Sequence, residues 1–333
     1  MTSNLGMVTI RGRKRYRTAR LRRPSRERLK VGYRTYADEL RTSRQFTPRD
    51  QELLEIIYSV GLLSRSQIQH LLWGEKVKST TVSTRLRQLY QHWVLNITTD
   101  VSFEMEKEGM EPCHVYTLGP VGEEILAIDQ HQRRGELGYN RRYASGRSEQ
   151  NIMHDLMTAE LFVQATTFAY EYERQLVERM KRQGLASDEL RREVIRQRLT
   201  VTWFGEHVSS IWQGDNELVR PDGTLAIEQD QQRQLYFVEL DRGATEWEKK
   251  VNLYDNARQF GAWQSQFGTN EYPAVLVVAP ARRSKRIAQV IAWQKPTVRY
   301  LIQEWPDFLE NGIANGWQDV TDGLKPVTLV DRW

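Results

Sequence analysis

The chain has 333 residues, enough for two or three domains, with 39% apolar residues and a formal net charge of +5. Its one cysteine, Cys113, excludes an internal disulfide and a thiolate-cluster zinc site, and points to a reducing, cytoplasmic compartment. The sequence contains no run of about 18 apolar residues, which excludes a membrane-spanning helix, and its first residues lack the apolar core of a secretory signal.

The charge is unevenly placed. Residues 1–49 carry 15 Lys+Arg against 3 Asp+Glu, a balance of +12; the rest carries 33 against 40, a balance of −7. Residues 1–45 show no sustained period and read as a disordered basic arm. Arginine dominates it, and the guanidinium fork matches a phosphate. Arg11, Arg13, Lys14 and Arg15 are therefore candidate contacts to the backbone of a nucleic acid. The alternative is a solvated tail with no partner. An anionic membrane surface has no apolar face here to support it.

Order is expected from Thr47. Thr47-Pro48-Arg49-Asp50 supplies a capping threonine, a proline at the first helical position and an acid three residues on. Leu53, Leu54, Ile56, Ile57 and Val60 follow at helical spacing, and Gly61 stops the run. Ser64 caps a second helix, with Gln67 in the capping-box position. A third helix opens at Ser79 or Thr80 and carries Val82, Leu86, Leu89 and Tyr90. A short strand (93–97), an acidic turn (104–111), a strand (114–118) and a helix from Val121 complete residues 46–130. Three helices followed by a ribbon resemble a winged helix-turn-helix. That resemblance implies that the third helix enters the major groove and offers Lys78, Thr81, Ser83, Thr84, Arg85, Arg87 and Gln88 to duplex DNA. A winged helix used for protein contacts is the alternative.

Residues 131–149 read as a polar, basic linker. The second domain, 150–333, opens with a long helix. Strands are expected at 199–204, 218–227, 234–239, 274–279 and 298–302, with helices at 187–198, 245–260 and 284–293. This order describes an α/β sandwich. Among the tryptophans, Trp263 with Phe267 is a candidate protein–protein contact.

The chemistry concentrates between Arg220 and Tyr254. Asp222 follows Pro221; Glu239 and Asp241 end an apolar run and lie two apart, hence on one strand face. Three converging acids are hard-oxygen ligands for a divalent cation, Mg or Mn, which can activate water against a phosphodiester. The plainer alternative is polar residues at strand ends, with Asp222-Gly223 a turn.

The element order and its acids resemble the PD-(D/E)xK superfamily, the fold of restriction endonucleases. The resemblance implies metal binding by Asp222 and Glu239 and a lysine at position 241. That position holds aspartate instead, so Lys249, or Lys250 beside it, is the candidate replacement. More closely, the His154-Asp155 pair and the RPDG…FVELDRGATEWEKKVNLY stretch, behind a winged helix, resemble the replication-relaxation family over roughly 47–305. This implies a plasmid or mobile-element protein that acts in replication and DNA relaxation. Three roles are then expected as alternatives. The first is a DNA-binding accessory protein. The second is a metal-dependent endonuclease or nickase using Asp222, Glu239 and Asp241. The third is a scaffold recruiting a replication or transfer enzyme. A homodimer on paired half-sites is compatible with any of them.

Overall fold

Pro221 cannot donate to a strand ladder, and it splits the second domain's apolar stretch into two strands of different sheets. The computed structural model in which this is seen describes residues 7–10, 13–16, 32–74, 76–139, 147–230, 232–243 and 245–329. The chain divides into two units, Met1–Ala159 and Glu160–Trp333. The fold is mixed α/β, with helices around one large mixed sheet.

In the first unit, β1 (Met7–Ile10) pairs antiparallel with β2 (Arg13–Tyr16). This corrects the expected arm, as does α1 (Tyr33–Thr42). Tyr33, Tyr36, Ala37 and Leu40 give α1 an i, i+3, i+4, i+7 stripe; Ala37 and Leu40 are buried, and Arg41 bridges Asp129 at 2.9 Å. Arg11 and residues 17–31 lie outside the described residues, and Arg13, Lys14 and Arg15 fall on β2.

Then come α2 (Pro48–Val60), β3 (Leu63–Ser64), α3 (Arg65–Leu72), α4 (Ser79–Gln91), β4 (Leu95–Ile97), α5 (Ser102–Lys107), β5 (Val115–Leu118) and α6 (Pro120–Asp129). Thr47 and Ser64 form capping boxes with Asp50 and Gln67, as their spacing predicts. The three strands form an antiparallel sheet in the order β3-β5-β4. The expected acidic turn instead contains α5: Asp100 accepts from Ser102 N at 3.0 Å, and Met105 is buried. The expected linker is anchored at its start. Leu137 and Tyr139 are buried, and the Tyr139 hydroxyl donates to Gly61 O and accepts from Leu118 N at 3.0 Å. Residues 140–146, with Arg141 and Arg142, lie outside the described residues.

The long helix α7 (Glu149–Arg182) contains the division between units. The second unit continues with α8 (Ser187–Gln197), β6 (Thr200–Gly205), α9 (Glu206–Ser209), β7 (Ile211–Gln213), β8 (Asn216–Val219), β9 (Gly223–Gln229), β10 (Gln232–Leu240), α10 (Trp247–Phe260), α11 (Ala262–Phe267), β11 (Ala274–Ala279), α12 (Ala281–Gln294), β12 (Tyr300–Glu304), α13 (Trp305–Asn311), β13 (Trp317–Asp319) and β14 (Lys325–Val327). Its sheet runs β14-β13-β12-β11-β10-β9-β6. Strands β6, β9 and β10 are mutually antiparallel, whereas β10, β11 and β12 are parallel and joined by α10 and α12. The run AVLVVA of β11 is buried along nearly its whole length, as a strand covered on both faces should be. Strands β7 and β8 form a separate ribbon. The core gathers Phe237, Trp247, Tyr254, Trp263, Phe267, Val277 and Ile291. Trp263 and Phe267 are therefore core residues and not an exposed contact; apolar side chains of this size sit where they remove most area from water.

Candidate functional site

Strand β10 is the third from one edge of the sheet and carries Glu239 next to its end. Phe237 and Glu239 share the face covered by α10, where the Phe237 and Tyr254 rings lie 5.6 Å apart. Glu239 is only 4% exposed. Its carboxylate accepts from the Tyr254 hydroxyl and lies 2.9 Å from Lys250 Nζ. Lys250 also donates to Arg220 O at 2.9 Å. Asp222 immediately precedes β9. Its N–H donates to Val238 O at 3.0 Å, and its Oδ2 accepts from Leu240 N at 2.7 Å. These two bonds clamp Asp222 across the β10 backbone on either side of Glu239.

The two carboxylates and the ammonium act on one another. Burial, and secondly the negative charge of Asp222, push Glu239 up to about 7 against the pull of Lys250. Burial works to lower Lys250, yet the Glu239 charge holds it above its ordinary value. Burial beside Glu239 raises Tyr254, which stays a neutral donor.

Asp241 does not join this group, contrary to the expected triad. β10 ends at Leu240, and Asp241 turns into a local loop in which its Oδ1 accepts from Gly243 N at 3.0 Å. Arg283 takes the other oxygen at 2.6 Å and also donates to Gly243 O and Thr245 O. Among the described residues, no three His, Cys, Asp or Glu side chains group closely enough to hold a metal ion. Lys249 is likewise directed elsewhere, to Glu246 at 2.5 Å on the exposed side of α10. The helical phase contains the missing signal: Lys250 lies three residues after Trp247 and four before Tyr254, both core residues, so it flanks the buried face. Gly223 is not a turn residue. It opens β9, and the close Trp203 ring, 2.1 Å from where a Cβ would stand, accounts for glycine at this position.

In the first unit, α4 buries Val82, Leu86 and Leu89. Lys78, Thr81, Thr84, Arg87 and Gln88 are exposed, and Thr84 Oγ1 donates to Thr80 O at 2.8 Å. Arg85 is different. Its Nε donates to Asp50 Oδ1 at 2.8 Å and another N–H reaches Gln45 O at 2.6 Å, so it ties α4 to the start of α2. Asp50 is 1% exposed; burial would raise it, but the bonds from Arg85 and Thr47 hold it below its ordinary value. His154 lies 3.8 Å from Asp155, which Arg147 also bridges.

The family model for replication-relaxation matches residues 54–272. The chain belongs to the replication-relaxation family. The match spans α4 and the Asp222, Glu239, Lys250 and Tyr254 cluster, and it ends before β11 and α12. Neither a curated protein nor a solved structure matches this family member significantly. No helix among its described residues is long and apolar enough to cross a membrane.

Proposed function

We propose that the protein is a DNA-binding accessory factor of plasmid or mobile-element replication and relaxation. Duplex DNA is its partner, gripped by the basic residues ahead of α1 and by a winged-helix-like first unit that serves a replication or transfer enzyme. The observation that carries this reading is the exposed polar and basic face of α4, the third helix of a unit closed by antiparallel strands, in a chain of this family. Lys78, Thr81, Thr84, Arg87 and Gln88 are the residues that meet the DNA. Arg85 leaves that set, because Asp50 and Gln45 occupy its donors. The test is a fluorescence-anisotropy titration with duplex DNA across a salt series. Binding is expected, with a salt slope that flattens when residues 1–32 are removed; absence of binding at about 50 mM salt overturns the reading.

One observation favours a second reading, a metal-dependent endonuclease. Lys250 brings a cation to Asp222 and Glu239, which restores an acid–acid–lysine set in the absence of a lysine at 241. As paired oxygen donors, Asp222 and Glu239 fit a divalent ion such as Mg or Mn, whereas both Asp241 oxygens are already engaged. When bound, such an ion supplies Lewis acidity to an attacking water. Lys250 would stabilise charge on a phosphodiester oxygen, and Tyr254 would orient Glu239. Incubation of supercoiled plasmid with manganese tests this. Nicking lost in both Glu239→Ala and Lys250→Ala supports the reading, and an intact plasmid with the wild type refutes it.

A further inference from the structure

The first six residues of α12 are Ala281, Arg282, Arg283, Ser284, Lys285 and Arg286. No acid stands in the first turn, no side chain caps it, and no base stands in the last turn. This is the reverse of what a helix dipole favours, because cations at an N-terminus raise the free energy of the fold. Arg283 is offset by Asp241. Arg282, Lys285 and Arg286 are exposed, with no acidic partner among the described residues. The N–H groups of Arg283 and Ser284 donate to Pro280 O, so an anion at this helix start would meet mainly the positive end of the dipole and three charged side chains together.

A second feature lies beside it. Between the starts of α10 and α12 lies a cleft of about 350 Å³, lined by Trp247, Lys249, Arg283, Arg286 and Ile287 among others. Trp247, one of the lining residues, is 5% exposed, and its Nε1–H is buried with no acceptor among the described residues. A buried indole donor is normally paired. Glu246 and Glu248 stand on the rim, the former already bridged by Lys249. The cleft opens beyond the C-terminal ends of the parallel strands β10 and β11, where α/β sheets commonly receive ligands.

We propose that the start of α12 is a second DNA-binding surface, which takes backbone phosphates through Arg282, Lys285 and Arg286, with the cleft beside Trp247 accepting one phosphate oxygen. This rests on the DNA-binding reading and extends it to the second unit, whose net acidity hides the patch. It also supplies a cationic approach to the Asp222, Glu239 and Lys250 cluster, since Arg283 on the same helix turn holds Asp241, two residues beyond Glu239.

The test uses the full chain, a labelled duplex of about 25 base pairs and salt from about 50 to 200 mM, the range over which phosphate neutralisation is resolved. The triple variant Arg282→Ala, Lys285→Ala, Arg286→Ala should bind at least about fivefold more weakly, and its salt slope should fall by about 0.9 for each phosphate left without its cation. Its melting temperature should equal or exceed that of the wild type, because removing cations from a helix N-terminus relieves the dipole. Arg191→Ala, Arg192→Ala, on the exposed side of α8, is the control for simple loss of charge. Unchanged affinity and slope in the folded triple variant, or an equal loss in the control, overturns the proposal while leaving the DNA-binding reading in place. No binding by the wild type overturns both.

Discussion

Lys250 Nζ lies 2.9 Å from Glu239 Oε1, while the adjacent Lys249 is turned away to Glu246. The side chains in the first pair are 19% and 5% exposed, so it is largely shielded from water; in the second they are 76% and 67% exposed. Lys250→Met should therefore destabilise the protein by about 2–4 kcal/mol near pH 8, where it strands a buried carboxylate. The loss should shrink near pH 5, where Glu239 accepts a proton. Lys249→Met should stay within about 0.5 kcal/mol at both pH values. Urea unfolding at the two pH values measures all four quantities.

Glu239 sets a pH dependence of its own. Its folded-state pKa is raised, from 4.5 to about 7. Between these values the folded state binds more protons than the unfolded state, so stability falls as pH rises through the window and levels off above about 7. The loss amounts to up to about 3 kcal/mol by linkage. Glu239→Gln removes the titrating group, and this fall should be absent from its profile over the same range. A wild-type profile that rises from pH 5 to 7 by an amount absent from the variant would contradict this sign.

Arg85 and Arg87 are two residues apart and should behave as opposites. Arg85→Ala strips the partner from buried Asp50 and should cost on the order of 2–3 kcal/mol, seen as a lower melting temperature. Asp50 is held below its ordinary value, so this contribution is present above about pH 4 and is lost on acidification. Arg87→Ala removes an exposed side chain and should leave the melt unchanged while weakening DNA binding.

Gly223→Ala should destabilise the sheet by about 1–3 kcal/mol, because the new methyl group would lie 2.1 Å from the Trp203 ring, far inside van der Waals contact, and the ring must move. Trp203→Leu in the same chain should recover part of that loss. Thermal melts of the two single variants and the double variant give the coupling.

Much of the framework is legible in neighbouring residues. Thr47 and Ser64 announce their helices by cap chemistry, and Ala274–Ala279 announces its strand by an unbroken apolar run. Less of the site is legible. Asp222 and Glu239 stand out by spacing, and the structure brings them together across β9 and β10. Asp241 follows the same period-2 rule in the sequence, but the strand ends one residue earlier and the rule lapses with it. The helix α5 is hidden by its charges, because burial of Met105 and a bond to Asp100 outweigh a polar composition.

By itself, the sequence determined the α/β class, the concentration of positive charge before residue 50, the family, and the two acids worth following. Each is written in composition or in residues a few positions apart, where local sterics and periodicity act directly. Tertiary structure decided which lysine serves Glu239, which acid is consumed by Arg283, and that Trp263 lies in the core. It also set the cations of α12 beside the cleft at Trp247. These depend on the phase at which one helix packs on the sheet and on partners 11 to 42 residues apart, and no local rule carries that information.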